Sequence, residues 1–247
     1  MDSHRLAEME RFERFYWWHV GRRFIIRRLL GRFLGKEKKV IADIGCGTGG
    51  NLDILRQFGN VIGVDSQPAA LAYCKARGAE TLITNSAEDL SDMKDCSVDV
   101  LTSFDVLEHV ADDGQALREF YRVLRPGGLV FLLVPAYQWL WSEHDVALGH
   151  HRRYTANALA KKTTADGFAV VKKGYCITLA FLPVVIFRWW KKLIGRSSSP
   201  VTSYVVLPGF LNALFIAALW LESWVVPWWP LPFGVSVILV ARKPLIV

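Results

Sequence analysis

The sequence predicts an α/β fold: a Rossmann-like, doubly wound sheet of seven strands, with an apolar helical insertion between the last two. Three observations predict it. Short apolar runs alternate with helical stretches from residue 40 onward. The first run ends in a glycine-rich turn, VIADIGCGTGG, Val40–Gly50. The second, Val61–Val64, ends in an acidic residue, Asp65. Strands that alternate with helices form a parallel sheet covered on both faces.

The elements follow in order. Residues 3–34 read as one helix, with aromatic and aliphatic side chains among Arg and Glu, stopped by Gly35 and KEKK. Val40–Ile44 is a buried strand and Leu52–Phe58 a helix. Pro68 opens a helix to about Arg77, as proline suits a first helical turn. Thr81–Thr84 and Val98–Ser103 are strands, and Gly114–Leu124 is a helix stopped by Pro126-Gly127-Gly128. Leu129–Val134 is the fifth strand, stopped by Pro135. A helix at 155–166, a strand from Phe168 to about Ile177 and a last strand, Val235–Ala241, complete the sheet.

Three regions result: a basic, aromatic helical lid at 1–39, the sheet domain at 40–177 plus 233–247, and the insertion at 178–232. A chain of 247 residues suits one such domain. With 52% hydrophobic and 21% charged residues, disorder is excluded as the dominant state. Cys46, Cys74, Cys96 and Cys176 form no CxxC pair and have no histidine at zinc-like spacing, so they read as reduced cytosolic thiols. The start, MDSHRLAEMERFERFYWW, lacks the apolar core of a secretory signal. The net charge of +7 gathers at the front, where residues 1–40 carry eleven Arg/Lys and five Asp/Glu. That suits nucleic acid, anionic lipid or an acidic substrate, or is a solvated helix face.

A glycine turn between strand and helix presents backbone N–H groups to a ligand and lets it approach closely. Asp65, 22 residues after Asp43, is placed to accept from two ribose hydroxyls. The glycines fit two templates. Gly45-x-Gly47-x-x-Gly50 is a dinucleotide fingerprint, whereas Asp43-x-Gly45-x-Gly47-x-Gly49 puts an acid before the first glycine.

With FDVLEHV at Phe104–Val110 and RVLRPGGLVFLLVP at Arg122–Pro135, the chain resembles the class I S-adenosylmethionine-dependent methyltransferases over roughly residues 40–135. The subgroup it resembles, methyltransferase types 11 and 12, includes enzymes acting on lipid-linked or quinone-type substrates. The resemblance implies S-adenosylmethionine as cofactor and S-adenosylhomocysteine as product. It implies that Gly45, Cys46 and Gly47 line the methionine part and that Asp43 holds its amino group. Asp65 would bind the ribose, Ser66 and Gln67 would lie near the adenine, and Ser86, Ala87 and Glu88 would close over its edge. Phe104 and Asp105 would flank the sulfonium. Many relatives have Asp where Ser86 stands, which shifts the adenine contact toward backbone or Glu88.

Methyl transfer needs in-line alignment, and a base only where the acceptor carries a proton; no metal is expected. The candidate bases are His144 and His150 first, then His109 and His19. His144-Asp145 and His150–Tyr154 lie after the fifth strand, where strand ends form the crevice. Arg152 and Arg153 are candidates to grip a phosphate or carboxylate, or are surface ion pairs. With Tyr154 they are expected near substrate, as are Tyr16 and Trp18 in the lid segment Phe15–Arg23.

Ile177–Trp190 and Val205–Val226 are apolar nearly all round, but short or broken for a bilayer crossing of about 20 residues. Trp189, Trp190, Trp224, Trp228 and Trp229 flank them like an interfacial belt, and Lys191, Lys192 and Arg196 would meet headgroups. The expectation is a monotopic hairpin in one leaflet, with the catalytic domain at the inner, cytoplasmic face. A buried substrate-domain core or an oligomer interface is the alternative.

The function expected is methyl transfer to a small, lipid-like or membrane-linked acceptor. The competing functions are an NAD-dependent oxidoreductase, a nucleic-acid methyltransferase (for which no recognition motif is present) and a noncatalytic membrane scaffold.

Overall fold

The structure is a computed structural model that describes residues 3–193, 204 and 206–245. In chain order the elements are α1 (Ser3–Glu13), α2 (Trp17–Leu34), β1 (Lys39–Ile44), α3 (Leu52–Leu55), β2 (Gly59–Val64), α4 (Pro68–Ala76), β3 (Thr81–Ile83) and β4 (Val98–Phe104). There follow α5 (Asp113–Val123), β5 (Leu124–Pro135), α6 (Glu143–Leu148), α7 (Ala156–Ala165), β6 (Ala169–Cys176), α8 (Phe181–Leu193), α9 (Gly209–Val225) and β7 (Ser236–Arg242). The seven strands lie in the order β3-β2-β1-β4-β5-β7-β6. Pairing is parallel from β3 to β5. Strand order reverses between β1 and β4, so a crevice is expected beyond the carboxyl ends of these two strands.

The core has two large halves, one on each sheet face. On one, Leu117, Phe120 and Leu159 pack against Leu101, Leu132 and Leu239. On the other, Ile25, Ile26, Leu29 and Leu30 of α2 pack with Val100, Phe131, Leu133 and Val240, and with Leu219 of α9. α2 is apolar on two sides because it packs against both the sheet and α9.

Four expectations are corrected. The single helix over 3–34 is two: Phe12 O accepts from Phe15 N and Tyr16 N, closing α1, and Tyr16 is extended at ψ 130°. The fifth strand starts at Leu124 and runs through Pro126-Gly127-Gly128, because Gly127 N and Gly128 O both pair with Lys243. The sheet is mixed, with β7 antiparallel to β5 and β6. The stretch after β5, for which the sequence predicts no element, holds a 3-10 turn at Gln138–Leu140 and α6, whose start is a capping box of Ser142 and Asp145.

The insertion does not stand apart from the domain. A Cβ on Gly21 would lie 2.3 Å from Leu219 Cδ1, so only glycine lets α2 and α9 approach this closely. Asn212 accepts from Trp17 N (2.9 Å) and donates to Phe15 O (3.0 Å). Arg28 donates to Ser223 Oγ and lies 3.0 Å over the Trp224 ring. The buried Glu222 accepts from the N–H groups of Ile177, Thr178 and Leu179, satisfying backbone where β6 ends. Among the described residues, no helix is long and apolar enough to cross a membrane. Leu182, Ile186, Trp189 and Trp190 of α8, with Phe210, Leu214 and Leu221 of α9 and Trp228 and Trp229 beyond it, are exposed. Arg196 and the side chains of Lys191 and Lys192 lie outside the described residues.

Candidate functional site

β1 delivers the chain to a turn in which Gly45 (φ 70°) and Gly47 (φ 54°) are left-handed, a region that penalises any Cβ. A Cβ on Gly45 would also meet Val106 Cγ2 at 2.3 Å. Gly47 N donates to Asp65 Oδ2 and Gln67 N to Asp65 Oδ1, both at 2.9 Å. Asp65 thus ties the glycine turn to the start of α4. Each of its oxygens keeps a lone pair for another donor. Asp43 is buried. Its Oδ1 accepts from Thr102 Oγ1 at 2.7 Å, while Oδ2 has no partner among the described residues. Burial raises its pKa to about 7, against the hydrogen bond from Thr102.

α1 lies directly over this turn. A Cβ on Gly47 would sit 3.2 Å from Met9 Cε. Glu13 accepts from Thr48 Oγ1 (2.9 Å) and pairs with Arg77, which joins α1, the turn and the end of α4. From α2, Arg22 pairs with Asp105, which is left-handed at φ 56° just past β4. The buried Arg22 Nε and Ser103 Oγ have no partners among the described residues. An orphaned carboxylate oxygen, guanidinium nitrogen and hydroxyl therefore belong to residues at the carboxyl ends of β1 and β4 or to α2 packed there.

The other expected cofactor residues divide. Cys46 is buried with its Sγ 3.6 Å from Cys74 Sγ, and both are free thiols. Ser66 is exposed and Gln67 half-buried at the opening of α4. Ser86 bridges to Asp89, and Ala87 is buried in the core. Glu88 accepts from Asp112 N at 2.7 Å, so one of its oxygens already serves the start of α5. Phe104 packs in the core beside α2, whereas Asp105 is the residue that reaches the polar cluster.

The four candidate histidines are in unlike places. His19 is 3.1 Å from Tyr204 Oη, and Tyr204 stacks on Phe12 of α1. Burial, aided by Arg22 and Arg23, pushes the His19 pKa down to about 3. His144 is held neutral in the same way: burial and then Arg188 lower it to about 4. His150 Nδ1 is 2.9 Å from Asp145 Oδ1, an oxygen that also accepts from Arg153 Nε at 2.7 Å. That pairing leaves His150 Nε2 available. The His109 ring meets the His150 ring edge-on at 4.5 Å. Beside them is Glu108, wholly buried, with neither carboxylate oxygen partnered among the described residues. Glu108, His109 and His150 each bring one donor atom within 4.8 Å of the others.

Most of the residues expected at substrate are engaged by partners within the chain. Arg153 is buried, donating to Asp145 and to Ala136 O (3.0 Å). Arg152 pairs with Asp113 at 3.1 Å and donates to Ala111 O. Tyr154 is buried and donates to Leu107 O and to Asp113 Oδ2 at 2.8 Å. These three brace the segment that carries His150. Trp18 packs against the α2 core, and only Tyr16, edge-on to Tyr204 at 5.2 Å, remains in the aromatic group around His19. Sequence reasoning missed Glu108, Asp145, Glu13 and Tyr204. The pair Asp145/His150 at i, i+5 around Gly149 was the one local signal available.

Residues 42–132 match the family model described as a methyltransferase domain. A protein of Mycolicibacterium smegmatis, named a probable S-adenosylmethionine-dependent methyltransferase, is 31% identical over 62% of this chain and 60% of its own length. The chain thus spans about three fifths of that relative. The ubiquinone biosynthesis O-methyltransferase of Pseudomonas aeruginosa is 35% identical over 40% of this chain and 45% of its own. A Thermotoga maritima structure, titled as an S-adenosylmethionine-dependent methyltransferase, superposes with a TM-score of 0.59, at 18% identity, over 98% of this chain and 97% of that one. Residues 42–132 therefore match the methyltransferase domain family, and the chain has the fold of the class I S-adenosylmethionine-dependent methyltransferases.

Proposed function

We propose that this chain methylates a small, lipid-like acceptor with S-adenosylmethionine. The observation that carries the cofactor is the pair of orphaned buried groups, Asp43 Oδ2 and Arg22 Nε. A buried acceptor and a buried cationic donor without partners are costly, and an amino-acid zwitterion satisfies both. Asp43 would hold the ammonium, Arg22 the carboxylate, Asp65 the ribose hydroxyls, and the Gly45–Gly47 turn would admit the chain between them. When bound, the cofactor supplies a methyl group activated on a sulfonium. The protein's own work is to align the acceptor and exclude water. α1 over the turn, held by Glu13, Thr48 and Arg77, supports the second task. For a hydroxyl acceptor, the proton acceptor of this reading is His150, whose ring Asp145 holds through Nδ1 so that Nε2 is left for the acceptor.

The acceptor class rests on the exposed apolar face of α8 and α9, with its tryptophans. Exposed apolar and tryptophan side chains of this kind suit a membrane leaflet or a hydrophobic partner. We assign it to the inner face of a membrane from which the acceptor is drawn. Two experiments test the proposal. Incubation with S-adenosylmethionine labelled in its methyl group and a membrane lipid extract should move label into the organic phase; label confined to water-soluble products contradicts the lipid class. The protein should float with anionic liposomes, and Trp228→Ala with Trp229→Ala should weaken that association severalfold. No flotation, or dimerisation through the same face on gel filtration, would remove the membrane.

A further inference from the structure

Glu108 is the one wholly buried carboxylate among the described residues whose two oxygens both lack hydrogen-bond partners. Two arginines face it, but neither hydrogen-bonds to it: Arg22 pairs with Asp105 and Arg153 with Asp145. Two imidazoles stand beside it. His150 has its Nδ1 committed to Asp145, which directs Nε2 away from that carboxylate. His109 is exposed, and its ring stands edge-on to that of His150 at 4.5 Å. The three donor atoms lie within 4.8 Å of one another. Around a cation bound at about 2.0–2.2 Å, donors stand roughly 3.0–3.5 Å apart, so binding an ion draws the three donors together.

We propose that Glu108, His109 and His150 bind a first-row divalent metal ion at the carboxyl end of β4. Two imidazoles and one carboxylate are a ligand set such ions favour. The Asp145–His150 pair supplies the outer carboxylate that orients a metal-bound imidazole, and Arg153 in turn holds Asp145. Three protein ligands leave a position open for water or an oxygen of the acceptor. An acceptor hydroxyl on the ion loses its proton to solvent more readily. Its oxygen then takes the methyl group as the carbon–sulfur bond breaks toward sulfur. In that state the His150 Nε2 lone pair is engaged by the ion, which replaces His150 in lowering the proton affinity of the acceptor. This last role rests on the methyl-transfer proposal; binding of the ion does not.

The test titrates metal-stripped protein, without affinity tag or cofactor, with cobalt(II) and with zinc(II), reading visible absorption and heat. One ion per chain is expected, with cobalt d–d bands that zinc displaces. His109→Ala and Glu108→Gln should each weaken binding at least about tenfold. His151→Ala, a neighbouring exposed histidine outside the cluster, should leave it within about twofold. Thermal unfolding of each variant checks that it is folded. Absence of a stoichiometric site in the parent protein overturns the proposal. So does unchanged affinity in both ligand variants, or a loss in His151→Ala equal to theirs. Because no cofactor is present, failure here is separable from failure of methyl transfer.

Discussion

Gly45→Ala probes the turn on which the whole site depends. Two costs combine at this position. A non-glycine residue at φ 70° gives up about 1–2 kcal/mol. The new methyl would also stand 2.3 Å from Val106 Cγ2, well inside contact distance, and relieving that overlap costs a further ~1–3 kcal/mol. Gly47→Ala carries the first cost without the second, because its Cβ would meet only the mobile tip of Met9 at 3.2 Å. For a chain of this length, about 2–5 kcal/mol lowers the Tm by about 4–20 °C, and about 1–2 kcal/mol by roughly 2–8 °C. Urea denaturation of both variants, of Val106→Ala and of Gly45→Ala/Val106→Ala gives the coupling energy. The double variant should recover ~1–3 kcal/mol relative to the sum of the single losses. Equal destabilisation by the two glycine substitutions, or strict additivity with Val106→Ala, would refute the steric reasoning.

Three further outcomes are expected. Asp43, with its pKa lifted to about 7, keeps its proton longer in the folded than in the unfolded chain, so its contribution makes stability fall as pH rises from about 4 to about 7. An ammonium beside it favours the carboxylate, so affinity for S-adenosylhomocysteine should rise with pH up to about 7 and then level off. Calorimetry should find that rise missing in Asp43→Asn. With a saturating hydroxyl acceptor, His150→Ala or Asp145→Asn should reduce kcat by about 10²–10⁴ while changing cofactor affinity little; a loss confined to KM would remove His150 from the proton path. Glu222→Ala strips acceptors from three backbone N–H groups and should cost about 3–5 kcal/mol in denaturant unfolding, more than the exposed Leu221→Ala next to it.

The glycine turn was legible because its information is local. A left-handed backbone needs glycine at fixed offsets, and Asp65 closes the adjacent strand in register, Ile44 beside Val64. Strand and helix identities were legible for the same reason. What failed was long-range. Antiparallel insertion of β7 depends on pairing with β5 more than a hundred residues away, and no feature within its apolar run encodes direction. Arg153 and Tyr154 were expected near substrate, and no local feature showed that both are buried against partners in other segments, Asp145 and Asp113. α9 read as membrane-like because it is apolar all round. Part of that surface is spent on α2, through the contact that Gly21 permits, and the rest is exposed. Glu108 carried no local sign of being unpartnered, since that follows from which arginines are already engaged.

The most direct test of the account is calorimetric titration of the purified chain with S-adenosylhomocysteine and, separately, with NAD. The account predicts one S-adenosylhomocysteine per chain, at least about tenfold weaker binding by Asp65→Ala (whose carboxylate holds the Gly47 N–H), and no heat with NAD. Binding of NAD without S-adenosylhomocysteine, or S-adenosylhomocysteine affinity indifferent to both Asp65→Ala and Asp43→Asn, would contradict it.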